Sequence, residues 1–103
     1  MFVAKVTGSL VATQKVESMI GRKMLIVEPY QLDAKTRDKM VGSGRSLVAV
    51  DTVGAGEGEF VLITQGSSAR LTPETKQLPV DTVIIGIVDT VHVDQRCVFE
   101  TKE

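Results

Sequence analysis

The segment Phe2-Val3-Ala4-Lys5-Val6-Thr7-Gly8-Ser9-Leu10-Val11-Ala12-Thr13 decides the fold. Its side chains alternate, with Phe2, Ala4, Val6, Leu10 and Ala12 on one side and Lys5, Thr7, Ser9 and Thr13 on the other. A period of two is the mark of a strand with one face buried. Gly8 interrupts the run and predicts a bulge, or a bend at a barrel corner. The pattern recurs along the chain at Met24–Val27, Ser46–Val53, Glu59–Thr64 and Thr82–Val88, rich in the β-branched residues that suit a pleated surface. The second of these runs on into Glu28-Pro29-Tyr30, where the proline predicts an edge or a turn. Val91-His92-Val93 and Arg96-Cys97-Val98-Phe99 read as two further short strands around Asp94-Gln95. No long helical segments alternate with the strands, which excludes a doubly wound α/β fold. Short strands separated by turn signals predict an all-β chain: a small five-stranded barrel, one or two short helical turns and a C-terminal β extension.

The connections fit that plan. Asp33 to Ser46 is polar, charged and closed by Gly42 and Gly44, and predicts an exposed loop with a helical turn capped by Asp33. A second polar connection covers Thr72 to Gln77 and leads into Leu78-Pro79-Val80-Asp81. One domain over residues 1–103 is expected, because 103 residues build a single core. A chain of this size buries only about 60–70% of its unfolded surface, so leftover apolar surface favours oligomerisation. Twelve Lys+Arg against thirteen Asp+Glu give a net charge of −1. Nucleic-acid binders usually carry a basic excess, and this balance speaks against one. No apolar run approaches membrane-spanning length, and Met1-Phe2-Val3-Ala4-Lys5 does not read as a signal peptide. The single cysteine, Cys97, has no internal disulfide partner, which fits a reducing cytoplasm.

Gly54-Ala55-Gly56-Glu57-Gly58-Glu59 invites a phosphate-binding reading and does not satisfy it. The spacing is wrong, the segment leads into a strand, no Lys-Ser/Thr pair follows, and Glu57 and Glu59 repel phosphate. A tight connection whose glycines adopt unusual backbone angles accounts for it better. His92, flanked by Val91 and Val93, has no visible nucleophile or co-ligand. Cys97 lies in an apolar run without a basic activator and reads as a buried structural thiol. Ser67 and Ser68 lack the frame of a nucleophile elbow. No catalytic, cofactor or metal constellation assembles, and the chain reads as a non-enzyme. An OB-like barrel can bind single-stranded nucleic acid, but that needs stacking aromatics beside a positive groove. Phe2, Tyr30, Phe60 and Phe99 are scattered along the chain, and the longest basic cluster is Arg22-Lys23.

Three stretches together resemble the EutN/CcmL family, the small proteins that close the vertices of bacterial microcompartment shells. The first is Val6-Thr7-Gly8-Ser9-Leu10-Val11-Ala12-Thr13-Gln14-Lys15 with Gly21-Arg22-Lys23-Met24-Leu25-Ile26-Val27. The second runs from Val48 through Asp51-Thr52-Val53-Gly54-Ala55-Gly56-Glu57-Gly58-Glu59 to Leu62. The third is Gln65-Gly66-Ser67-Ser68-Ala69-Arg70, resuming at Pro79-Val80-Asp81 and Ile85-Gly86-Ile87-Val88-Asp89. The Asp33–Ser46 connection and the tail beyond Asp89 depart from the shortest members, in regions where the family varies.

The resemblance implies an OB-like barrel that forms a ring, most often a pentamer, in the shell of a compartment in the bacterial cytoplasm. Its partners would be copies of itself and hexameric shell proteins, with no cofactor, nucleic acid or membrane. By the same resemblance, Gly54, Ala55, Gly56, Gly66, Ser67 and Ser68 are candidates for subunit contacts or a central pore, and Asp51 and Arg70 for an anchoring pair. Gly66, Ser67 and Ser68 equally read as turn residues within one subunit. A monomeric OB-like module for a peptide or single-stranded nucleic acid is the competing function. An enzyme would require assembly to complete a site, for instance with His92 and Asp94.

Overall fold

The computed structural model describes residues 1–13, 15–76 and 80–101. Gln14, Gln77, Leu78 and Pro79, quoted above, lie outside the described residues. Among the described residues eight strands form: β1 (Phe2–Leu10), β2 (Met24–Leu32), β3 (Met40–Gly42), β4 (Leu47–Asp51), β5 (Phe60–Gln65), β6 (Thr82–Val88), β7 (Thr90–Val93) and β8 (Arg96–Glu100). The first sheet runs β1-β5-β6-β4-β2, and a further β1–β2 pairing returns it to its start. Five strands therefore ring the core, as the alternation predicts. Neighbours are antiparallel except β4 and β6, which pair in parallel through Val50–Val83 and Asp51–Ile84. Two 3-10 turns, Glu17–Met19 and Gly66–Arg70, supply the helical content. β7 and β8 form a separate two-stranded sheet, the expected C-terminal extension.

Inside the ring, Ala4, Val6, Leu25, Val27, Ala49, Val61, Ile63 and Ile84 pack with Ala55 from the glycine-rich loop. A second cluster, Val50, Ala69, Val80 and Val83, lies under Met19, Met24 and Ile85. β4 thus buries both faces at its end, Ala49 in the first cluster and Val50 in the second. The bulge foreseen at Gly8 is present: Val6 pairs with Val27 and Gly8 with Ile26, leaving Thr7 as the extra residue. The bulge changes the strand's phase, so Leu10, expected inside, is exposed. A second bulge at Leu62/Ile63 leaves Ile85 without a partner on β5.

Other expectations are corrected by tertiary pairing. Pro29 does not end β2, which continues to Leu32 with Ala4 opposite Pro29. The proline carbonyl accepts from the Ser43 N–H at 2.9 Å, just beyond the end of β3, where its missing N–H costs a single bond. The Asp33–Ser46 connection contains β3, three residues paired to Tyr30–Leu32. Asp33 caps a turn there but no helix: its Oδ1 accepts from the N–H groups of Lys35 (2.9 Å) and Thr36 (3.1 Å). The Thr36 and Lys35 N–H groups hold this carboxyl below the usual aspartate range.

Candidate functional site

Asp51 ends β4 and organises the loop that follows. Its Oδ1 accepts from the Val53 N–H at 3.0 Å and its Oδ2 from the Ala55 N–H at 2.9 Å. Lys23, immediately before β2, places Nζ 3.7 Å from Asp51 Oδ2 and donates to the Ala55 carbonyl at 2.6 Å. The Asp51 side chain is 2% exposed. Gly54 and Gly58 take φ of +81° and +89°, which side chains beyond hydrogen disfavour. At the far end Glu59 Oε1 accepts from the Gly56 N–H at 2.7 Å, while the Gly58 N–H donates to the Val6 carbonyl at 2.8 Å and the Val6 N–H to the Glu59 carbonyl at 2.9 Å, seating the loop on β1. The acidic residues flanking the glycines are therefore loop clips. They explain why an Asp, three spaced glycines and a Glu belong together without any phosphate.

Asp51 and Arg70 do not form the anchoring pair the resemblance implied. Val50 faces the cluster that contains Ala69, and Asp51, one residue on, faces the other way. Its carboxylate is already occupied by the loop and Lys23, while Arg70 is exposed. Among the described residues, ion pairs join Lys23 to Asp51 and Arg37 to Asp94 only. Ala55 is also corrected as a candidate for the subunit contact or pore, because it is fully buried in its own subunit's core. Gly54 is exposed and Gly56 half-buried.

The second candidate segment leaves the opposite end of β5. Gly66, at φ +71°, donates to the Asp81 carbonyl at 2.8 Å and opens the 3-10 turn Gly66–Arg70. Gly66, Ser67 and Ser68 are exposed, and Ala69 anchors the turn in the second cluster. Thr75 holds it from beneath: its buried hydroxyl donates to the Ala69 carbonyl at 2.6 Å and lies 2.6 Å from Thr72 Oγ1. In the sequence Thr72 and Thr75 stand out only as part of a polar connection. Their i, i+3 spacing after a turn is the signal that was available.

The C-terminal hairpin turns at Asp94-Gln95, both with positive φ. It lies against the barrel at two points. Phe99 packs on Phe60 with ring centroids 4.1 Å apart and the rings tilted by 43°, and Phe60 meets Tyr30 edge-on at 4.9 Å. Arg37 Nε donates to Asp94 Oδ2 at 2.9 Å. That bond holds the Asp94 carboxyl below, and the Arg37 guanidinium above, their ordinary values. The aromatics scattered in sequence thus meet in space, but beside Glu57, Glu59, Asp89 and Glu100. Cys97, expected to be buried, is exposed on the two-stranded ribbon, as is its cross-strand partner His92. Among the described residues no group of three His, Cys, Asp or Glu side chains stands together to hold a metal ion.

The family model described as ethanolamine utilisation protein EutN/carboxysome matches residues 1–89. The microcompartment shell vertex protein GrpN of Rhodospirillum rubrum is 43% identical over 92 residues, covering 89% of this chain and 97% of that protein. A solved structure of the GrpN pentameric microcompartment shell protein superposes with a TM-score of 0.74 at 41% identity, covering 90% of this chain and 98% of the other. The structure of CcmL from Gloeobacter violaceus superposes with a TM-score of 0.86 at 39% identity, over 100% of both chains.

Proposed function

The chain belongs to the EutN/CcmL family, and from that premise we propose that it forms homopentamers that cap the fivefold vertices of a polyhedral bacterial microcompartment. The observation that carries this is the likeness over about nine-tenths of the chain, in sequence and fold, to shell vertex proteins including a pentameric one. The physical logic agrees. Sixfold tiles alone make a flat sheet, and a closed shell needs fivefold units, which a cyclic subunit contact supplies.

The remaining parts of the proposal follow from that role. The partners at the rim are hexameric shell proteins, and the assembly resides in the bacterial cytoplasm. The work is geometric rather than catalytic: His92 lies on an exposed ribbon and the Asp94 carboxylate is engaged with Arg37. Gly66, Ser67 and Ser68 approach the ring axis, because small, exposed, uncharged residues let five backbones come close. The exposed Gly54 and the half-buried Gly56 belong to the subunit contact at the other end of β5. A nucleic-acid role is disfavoured by the four carboxylates around the Phe60–Phe99 contact, which repel phosphate. Producing hexameric shell proteins with and without this chain, and imaging the particles, tests the role. Closed polyhedra only when the chain is present are expected; equal closure without it would contradict the proposal.

A further inference from the structure

We propose that neighbouring subunits in this ring meet head to tail through two unlike patches of the chain: a basic-rimmed apolar groove and an acidic cleft at the root of the C-terminal hairpin. This deepens the pentamer reading and rests on it. The groove, of about 340 Å³, runs between Leu10–Ala12, at the end of β1, and Gly21–Met24, at the start of β2. Val11 is 86% exposed and the neighbouring Ile20 66%, a large apolar surface for a chain this small. Lys15 and Arg22 stand on its rim, both exposed. Lys23 is also there, but it is committed to Asp51 and Ala55.

The cleft is lined by Glu57, Glu59, Asp89, Phe99 and Glu100. Glu59 is spent on the Gly56 N–H. Glu57, Asp89 and Glu100 are exposed, and neither of the ion pairs among the described residues includes them. Groove and cleft share no residue. Two exposed cations thus rim a groove with apolar surface, and three exposed carboxylates line a cleft that also holds Phe99.

The occupant of the groove is a second copy of this chain, and the charge pattern says how it is oriented. A twofold contact of the groove with itself would set Lys15 and Arg22 of both copies together, and like charges at an interface are costly. Groove against cleft sets them against Glu57, Asp89 and Glu100 instead. A contact between two different patches is heterologous, and repeated by rotation it closes a ring.

Charge reversal tests this. Lys15→Glu with Arg22→Glu alters the groove, Glu57→Lys with Glu100→Lys alters the cleft, and a fourth protein carries all four changes. Native mass is measured over a series of protein concentrations, with wild type alongside and circular dichroism as the folding control. Each double variant is expected to need at least about tenfold more protein for half-assembly, and the fourfold variant to recover most of that loss. If either reversal prevents folding, the neutral pairs Lys15→Gln/Arg22→Gln and Glu57→Gln/Glu100→Gln replace it, with the same direction expected. A wild type that forms no ring overturns the pentamer reading itself. A wild-type ring that neither double variant disturbs, or a fourfold variant no better than the doubles, overturns the pairing of these two patches.

Discussion

Asp51 shows a carboxylate in a glycine-rich setting serving its own backbone. It accepts two loop N–H groups and faces Lys23, while being almost fully buried. Asp51→Ala leaves those donors and the Lys23 ammonium without their partner and should destabilise the fold by about 2–4 kcal/mol, read from the urea unfolding midpoint. A loss under about 0.5 kcal/mol would show that the clip is dispensable. The sequence displayed the residues of this clip but not their pairing. Asp51 and Glu59 flank the glycines in plain view, so a structural loop was legible. Lys23 stands just before another strand, and the proximity of Lys23 to Asp51 exists only once β2 and β4 are side by side. Arg70 was the more conspicuous cation and the wrong one, because Val50 and Asp51 face opposite ways.

The strands were legible wherever alternation or β-branching was strong. β6 was read to its last residue, and the Gly8 bulge was visible as a glycine inside an alternating run. β3 was not, since three residues in a polar connection carry no period and become a strand only by pairing with β2. Burial at the hairpin was also misread at Cys97, because an apolar run does not tell a core strand from a ribbon lying on the surface. That ribbon is held by the Phe99–Phe60 contact and by Arg37–Asp94, and a two-stranded ribbon alone is marginal. The Arg37 bond depresses the Asp94 carboxyl in the folded state, so its contribution is fully present above the ordinary aspartate range and lost as the pH falls below that range and through the depressed value. Arg37, raised in the folded state, would lose its contribution only at strongly alkaline pH. Asp94→Asn should therefore speed amide exchange in residues 90–100 near pH 7, with the difference from wild type vanishing only in acid strong enough to protonate the depressed Asp94 carboxyl. Equal exchange in both proteins near neutrality would contradict the latch.

For the whole molecule, composition already favoured assembly over chemistry. A short chain with balanced charge has surface left to bury, and among the described residues Val11, Leu71, Ile20 and Val16 are where the structure leaves most of it, with Leu10 and Val48 also exposed. Which surfaces pair was beyond the sequence, because the groove joins β1 to β2 and the cleft joins the glycine-rich loop to a hairpin some 40 residues further on. The family likeness was carried by the clip residues, the Gly66–Arg70 turn and the β6 run. The structure gives the first two a reason: they fix the loops at the two ends of β5. The proposed function requires the chain to work as a fivefold ring. The native mass of the purified protein tests it most directly. Five copies of an 11.1 kDa chain predict about 55 kDa, holding on dilution into the low micromolar range. A stable species of 11.1 kDa at those concentrations would contradict the account.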